Sequence, residues 1–358
     1  MARRAVFDVK DGENRVVSDA GFDLPAYKKA GVDIDGAAAS VRKIKELARA
    51  TQDSHVISGI GGFSGLYHAG ALGFRDLVLS AGADGVGTKV KIAQAVGKHD
   101  TVGIDLVAMN VDDVVTSGAT PLFFLDYIAI GRLNPKTVED IVKGIVEGCR
   151  MARCVLLGGE TAQMPDVYEE NEYDLAGFCV GAVEKTRIID GRNIKPGDVL
   201  IGLESSGLHS NGYTLARKVL LEKAGLKLDQ HIGELGRSLA EELLEPTRIY
   251  APLILELIES VPLKGVAHIT GGGIYDNVSR ILPPGTRIEI TKNWNVPRIF
   301  DLIQKLGDIS WDEMYRVFNM GVGMVLVVSP DDAGAALRKA CDSGVGAFEV
   351  GVVREEKR

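Results

Sequence analysis

Four aspartates and a glycine-rich turn are the residues of this sequence best equipped for chemistry on a phosphate. Asp84 lies in "SAGADGVGTK" (Ser80–Lys89), one transposition away from a phosphate-binding P-loop. Gly82 and Gly87 fit G-x-x-x-x-G, but Thr88–Lys89 stands where a P-loop has Lys-Thr or Lys-Ser. Asp105 and Asp112 are two helical turns apart and share a face, with Asp113 beside them. The other residues of that segment, among them Val102, Ile104, Leu106, Val107, Val111, Val114 and Val115, are apolar almost all round. Such a helix is buried, and buried carboxylates need a cation or strong donors. Oxygen-only ligands with no adjacent histidine suit Mg²⁺, which joins carboxylates to nucleotide phosphates.

Three further loops can meet a ligand. "GIGGFSG" (Gly59–Gly65) is an incomplete dinucleotide fingerprint, because Ser64 occupies the third glycine position and no apolar strand precedes it. "SSGLHSNG" (Ser205–Gly212) offers hydroxyls and His209 at a strand-to-helix junction, and "HITGGG" (His268–Gly273) ends a strand in three glycines. Backbone N–H groups in turns of this kind can close on an anion. Two such loops in one half of the chain suggest a phosphorylated ligand.

The elements that must position these residues alternate between strand and helix, so both halves read as α/β. Helices are expected over "DIDGAAASVRKIKELARA", with Asp35 as cap, over "HDTVGIDLVAMNVDDVVTSGA", with Asp100 as cap and Gly118 as stop, and over "NPKTVEDIVKGIVEGCRMA", with Asn134 before Pro135. Strands are expected at "DLVLSAGADG", "PLFFLDYIAIG" and "YDLAGFCVGAVE", and "CVLLGGETAQMPD" is expected as a short strand running into another glycine loop. Past a charged stretch, Glu184–Pro196, the pattern restarts with "DVLIGLESSGLHSNG", strand then loop, a helix from Tyr213, a long helix over Leu243–Ile258, strands "GVAHITGGG", "RIEI" and "GVGMVLVVS", and two more helices. The expected division is a polar arm (1–26), a first domain (27–185) and a second (186–358).

Bulk properties narrow the class. With 358 residues, two domains are the default. A 46% hydrophobic, 25% charged composition is that of a folded chain, and the net charge of −8 argues against a general nucleic-acid binder. Cys149, Cys154, Cys179 and Cys341 form no C-x-x-C pair, which reads as reduced thiols in a cytoplasmic protein without structural zinc. The N-terminus has no apolar core of a signal peptide, and no membrane span is expected.

Taken in order, "AGVDID", "GIGGF", "ADGVGTK", "GIDLVAMN", "DVVTSGATPLFFLDY", "GGETAQMP", "AGFCVGAVEK", "SSGLHSNGY", "PTRIY", "AHITGGG" and "FNMGVGMV" resemble the aminoimidazole ribonucleotide synthetase family. The likeness runs from Tyr27 to about Val353, and Asp113, Gly118, Ala119 and Pro121 reproduce the D-x4-G-A-x-P of the wider ATP-dependent superfamily. The resemblance implies a homodimer whose N-terminal domains build a shared β-barrel flanked by C-terminal α/β domains. It implies ATP-dependent ring closure of a phosphoribosyl substrate, with ATP and Mg²⁺ as cofactors. ATP would lie against Gly59, Gly61, Gly62, Phe63, Asp84, Gly85, Gly87, Thr88, Lys89 and Asp105, with Mg²⁺ on Asp84, Asp105 and Asp113. Substrate would meet Ser206, Gly207, His209, Ser210, Asn211, Thr270, Gly271, Gly272 and Gly273. The catalytic groups would be Asp113, Lys89, His209 and His268, with one of the two histidines moving the proton. The chain departs from the family pattern at Asp112, where Asn is frequent, at Gln163, where Glu is frequent, and at Arg132, where Lys is common.

Two other readings compete. A sibling ATP-dependent enzyme, such as a thiamine-monophosphate kinase, a selenide-phosphorylating enzyme or a hydrogenase-maturation dehydratase, would share the acidic nucleotide site but not the paired "SSGLHSNGY" and "AHITGGG" loops. A nucleotide-binding protein without turnover would keep the motifs and lack substrate-dependent ATP consumption. A Rossmann dehydrogenase fails on the incomplete fingerprint.

Overall fold

The computed structural model describes residues 6–10, 13–17 and 34–356. Most of the expected N-terminal arm lies outside the described residues; within it, Val6–Lys10 and Glu13–Val17 pair as an antiparallel hairpin.

The first sheet orders its strands Leu77–Gly85, Tyr173–Glu184, Thr120–Ile130, Val155–Gln163. Only the last pair is parallel. The helices Val102–Val115 and Pro135–Ala152 cover one face. They approach closely because Gly103 and Gly144 leave no Cβ between them; a side chain at Gly103 would strike the Ile141 carbonyl. Asn134 caps the second helix as its sequence predicts, accepting from the N–H groups of Lys136 (3.0 Å) and Thr137 (3.3 Å). On the opposite face Leu77, Leu79 and Phe178 are exposed.

The second sheet, order Gly265–His268, Val322–Val328, Val199–Glu204, Ala347–Glu355, Thr286–Ile290, is antiparallel throughout. Val322–Val328 is buried along its whole length, as its unbroken apolar run requires. Cys149, Cys154 and Cys179 are buried free thiols, and Cys341 is exposed. Among the described residues no helix is long and apolar enough to cross a membrane.

Three expectations are corrected and one strand is added. The helix expected over Leu243–Ile258 is two, Leu239–Leu243 and Ala251–Ile258, separated by Leu244–Tyr250. Pro246 supplies no N–H there, and the N–H groups that follow it are drawn to carboxylates of the first half. The helix after Gly97 starts at Val102 with Thr101 at its cap, so Asp100 does not cap it, and Gly118 follows in the left-handed conformation. The first long helix begins at Ile34, so Asp35 lies inside it and not at its cap. The strand Ala347–Glu355 was unforeseen.

Candidate active site

The helix Val102–Val115 presents its carboxylates to two different places. Asp105 and Asp112, both fully buried, face the Leu244–Tyr250 break. Asp105 Oδ1 accepts from Thr247 N–H (2.7 Å), Thr247 Oγ1 (2.6 Å) and Lys89 Nζ (2.8 Å). Lys89, equally buried, gives its remaining donors to the carbonyls of Glu245 (2.6 Å) and His209 (3.1 Å). All three ammonium protons are used inside the protein. Burial pushes the Lys89 pKa down, opposed by the Asp105 carboxylate.

Asp112 Oδ1 accepts from the N–H groups of Tyr250 (2.8 Å) and Ala251 (2.9 Å), at the start of helix Ala251–Ile258. An anion there is favoured by the helix dipole. Burial nevertheless raises the Asp112 pKa to about 7, against the pull of the His268 charge and of those two N–H groups.

Lys89 and Asp105, expected at the phosphate, the metal and the catalytic centre, meet protein groups in this structure. They form a buried ion pair that welds the first half of the chain to the second. Asp105 is also eight residues from Asp113, about 12 Å along a helix at 1.5 Å per residue, too far to share one cation. Among the described residues no three His, Cys, Asp or Glu groups converge on a metal position, so the three-aspartate cage is not formed.

The second place is open. Asp84 ends its strand next to Asn110, whose side chain accepts from the Asp84 N–H (2.9 Å) and donates to the Asp84 carbonyl (3.3 Å). This fixes the backbone and leaves the carboxylate exposed, accepting from Gly85 N–H at 2.7 Å. Burial raises the Asp84 pKa, and the charge of Asp113 adds to the rise, while Gly85 N–H and His268 oppose it.

Asp113, with 47% of its side chain exposed, has Oδ1 at 2.8 Å from His268 Nδ1, whose ring is only 3% exposed. Burial works against the imidazolium, but the bond to Asp113 and the charges of Asp112, Asp113 and Asp84 outweigh it, holding the pKa above the usual value. His268 Nε2 is buried and without a partner.

The loops of the second half are held by hydrogen bonds of their own. Ser205 donates to the Gly207 carbonyl (3.0 Å) and to Asn319 Oδ1 (3.1 Å), and Ser210 and Thr247 hydroxyls meet at 3.0 Å. His209 sits in the left-handed region at φ 62°, with Nε2 accepting from Ser206 N–H at 3.1 Å. That acceptor role places the proton on Nδ1. Burial first, then the charges of His268, Lys89 and Arg248, hold its pKa well below the usual value. His209 is thus a neutral, buried brace of its loop.

Asn277 donates to the carbonyls of Thr270 (3.3 Å), Gly271 (3.2 Å) and Gly273 (2.8 Å), tying the glycine turn down. A Cβ on Gly271 would come 3.9 Å from Asn211 Oδ1, so the two loops meet. Thr88 touches the second half through Thr214, hydroxyl to hydroxyl at 3.0 Å. The Gly59–Gly65 loop projects Phe63 fully into solvent, and no hydrogen bond among the described residues ties it to the Asp84–Asp113 pair.

Residues 68–183 match the model described as "AIR synthase related protein, N-terminal domain", and residues 195–358 match its C-terminal counterpart. The phosphoribosylformylglycinamidine cyclo-ligase of Myxococcus xanthus is 56% identical over 328 residues, covering 91% of this chain and 95% of the relative. That of Carboxydothermus hydrogenoformans is 52% identical over 332 residues, covering 93% and 97%. The chain belongs to the phosphoribosylformylglycinamidine cyclo-ligase family.

Solved structures extend the likeness in fold alone. A thiamine-monophosphate kinase from Stenotrophomonas maltophilia superposes with a TM-score of 0.64 at 15% identity, covering 87% of this chain and 93% of the kinase. The hydrogenase maturation protein HypE in complex with ATP gives 0.60 at 16% identity, covering 88% and 87%. Arg248, with Nε enclosed and without a hydrogen-bond partner, is a residue that the sequence does not single out. It lies inside the quoted "PTRIY", but a single arginine in a polar loop carries no periodic signal.

Proposed function

We propose that this chain catalyses the ATP-dependent closure of formylglycinamidine ribonucleotide to aminoimidazole ribonucleotide, releasing ADP and phosphate in purine synthesis. The observation that carries this reading is identity of 52–56% with cyclo-ligases over more than nine-tenths of the chain. The open Asp84–Asp113–His268 cluster between the two halves supports it. At 15% identity the kinase likeness speaks for shared architecture and not for a shared substrate.

In the reaction, the formyl amide oxygen takes the γ-phosphoryl group and becomes a leaving group. The ribose-bearing amidine nitrogen then bonds to the formyl carbon as the carbon–oxygen bond breaks. The formamide nitrogen loses its proton on phosphorylation, the ring-closing nitrogen gives up its proton as phosphate departs, and a proton then moves from the methylene carbon to the exocyclic imine nitrogen, leaving ADP, phosphate and the aminoimidazole. Asp84 and Asp113 would hold Mg²⁺: they are oxygen donors close enough for one charge to raise the pKa of the other, and Mg²⁺ commonly uses one or two carboxylates plus phosphates. The ion would neutralise charge on the transferring phosphoryl group. His268, oriented at Nδ1 by Asp113, has Nε2 free to hold the mobile proton, and His209 keeps Ser206–Asn211 in position.

Gly59, Gly61, Gly62 and Phe63, with Gly85, Gly87 and Thr88, would line the nucleotide, and Ser206, Gly207, Ser210, Asn211 and Thr270–Gly273 the ribonucleotide. Residues 27–185 and 186–358 would be the two domains. The chain would work in the cytoplasm as a homodimer, and the apolar sheet face on which Leu77, Leu79 and Phe178 are exposed among the described residues supports the homodimer. The test is a coupled assay of ADP release and imidazole formation with the purified chain. Equal amounts of both support the reading; ATP cleavage without imidazole formation, or neither activity, overturns it.

A further inference from the structure

The segment that breaks the helix expected over Leu243–Ile258 is held on both sides of one arginine. Before it, the Pro246 carbonyl accepts from Ser206 Oγ at 2.6 Å, and Thr247 bonds Ser210 and Asp105. After it, Tyr250 and Ala251 donate to Asp112. Arg248 is thus carried on a backbone fixed by two buried carboxylates and laid against the Ser205–Gly212 loop.

Its side chain is partly buried, and Nε is enclosed without a hydrogen-bond partner. Among the described residues the guanidinium makes neither hydrogen bond nor ion pair. Its charge is one of those that keep His209 neutral, which places it beside that loop. Tyr250, whose ring lies 6.1 Å from that of His209, is exposed to the same charge.

Lys89, the buried lysine of this seam, spends all three donors inside the protein and offers none to a ligand. An enclosed N–H donor left empty is unfavourable, and a guanidinium fork matches a tetrahedral oxyanion through two parallel bonds. Asp84 and Asp113, by contrast, repel an anion unless a cation intervenes. The free positive charge lies on the ribonucleotide loops and the free negative charge on the nucleotide side.

Building on the proposed cyclo-ligase reading, we propose that Arg248 is the anchor for the phosphate of the phosphoribosyl substrate, and so a specificity-determining residue at this site. The phosphate binds Nε and one Nη of the fork. The ribose then lies along Ser206–Asn211, and the reacting formamide is directed toward Asp113 and His268. ATP carries the same phosphate chemistry, so the experiment separates the two sources.

The full chain and its Arg248→Met and Arg248→Lys variants are assayed for KM of each substrate, with the ribonucleotide and with its dephosphorylated nucleoside. Arg248→Met is expected to raise KM for the ribonucleotide about 10- to 100-fold, the range of a lost charge-assisted pair, with KM for ATP within about twofold. The nucleoside is expected to react as poorly with the unaltered chain as with Arg248→Met, because nothing is left for the guanidinium to hold; a merely structural arginine does not produce that equality. A rise in KM for ATP alone, or undiminished preference of Arg248→Met for the phosphorylated substrate, overturns the assignment. If Arg248→Met does not fold, calorimetric titration of Arg248→Lys with ribose 5-phosphate replaces it: weaker binding than the unaltered chain supports the anchor, and equal binding refutes it. Absence of ring closure in the unaltered chain would defeat the cyclo-ligase reading, while the ribose 5-phosphate titration would still report on Arg248.

Discussion

Removing the Lys89 ammonium is the most informative perturbation of this molecule. Lys89→Met keeps the length and apolar stem of the side chain but leaves Asp105 as a fully buried anion. Its Oδ2 already lacks a partner, and its Oδ1 would retain only the two donors of Thr247. Breaking one side of a buried pair destabilises by about 3–5 kcal/mol. At about 2–4 °C per kcal/mol for domains of this size, the melting temperature should fall by roughly 6–20 °C. Lys89→Met/Asp105→Asn should recover most of that loss, because the amide oxygen still accepts from Thr247 and no buried charge remains. Calorimetry on the three variants and the unaltered chain closes the cycle, with a coupling of about 2 kcal/mol or more expected for groups in direct contact. The reasoning also predicts that Asp105→Asn leaves the Mg²⁺ requirement unchanged. If Asp105→Asn melts with the unaltered chain but demands several-fold more Mg²⁺, Asp105 is a metal ligand and the clamp is refuted.

Asp84→Asn should lose turnover by at least about 100-fold while melting within a few degrees of the unaltered chain, since its carboxylate is exposed and Asn110 holds only its backbone. Unchanged kcat at saturating Mg²⁺ would remove it from the site. The His268 pKa is raised in the folded chain, so the stability that its charge contributes is fully present below the ordinary imidazole value and is lost as pH rises through the raised one; kcat/KM should have an alkaline limb there, moving to lower pH in Asp113→Asn. A pH profile that does not respond to Asp113→Asn would break the link. Asp112 titrates near 7 in the fold, so ionising it weakens the fold as pH rises toward 7, and Asp112→Asn should raise the melting temperature more at pH 8 than at pH 5. Equal shifts at both pH values would contradict that burial effect. Leu79→Glu places a charge on the exposed sheet face and should shift the proposed dimer to monomer in light scattering, whereas a dimeric mass kept by the variant would rule that face out.

Much of the architecture was legible because strong local signals agreed with the tertiary outcome. Asn134–Pro135 opens a helix in the sequence and opens one in the fold, and the apolar run of Thr120–Ile130 makes a strand eleven residues long. Failures occur where a long-range partner overrides a local pattern. The apolar period runs through Leu243–Ile258, with Pro246 and Pro252 as its visible flaws, and Pro252 is accommodated in the first turn of the second helix; what separates the helices is Asp105 and Asp112, more than 130 residues earlier in the chain. The strand Ala347–Glu355 went unseen because Gly351 interrupts its pattern, and the structure accommodates that glycine with a register shift between Glu349 and Gly351.

The same override explains why the chemistry was easier to read than its residues. A glycine turn followed by Thr-Lys looks like phosphate chemistry because a buried lysine and a phosphate-bound lysine have identical local sequences. What distinguishes them is the source of the acceptors. For Lys89 these come from carbonyls 120 and 156 residues away, and no window of sequence contains them. Helical spacing carries the same ambiguity. It places Asp105 and Asp112 on one face and Asp113 on the next, but it does not say which face meets protein and which meets a cleft. Burial decides that: the two carboxylates that meet backbone N–H groups of the second half hold the halves together, and the one that meets His268 stays half-exposed. The pairing of a clamp with a site on one helix follows from this. Each N–H donated to Asp105 or Asp112 also fixes the chain around Arg248, so the interface that stabilises the fold fixes the geometry of the cleft as well.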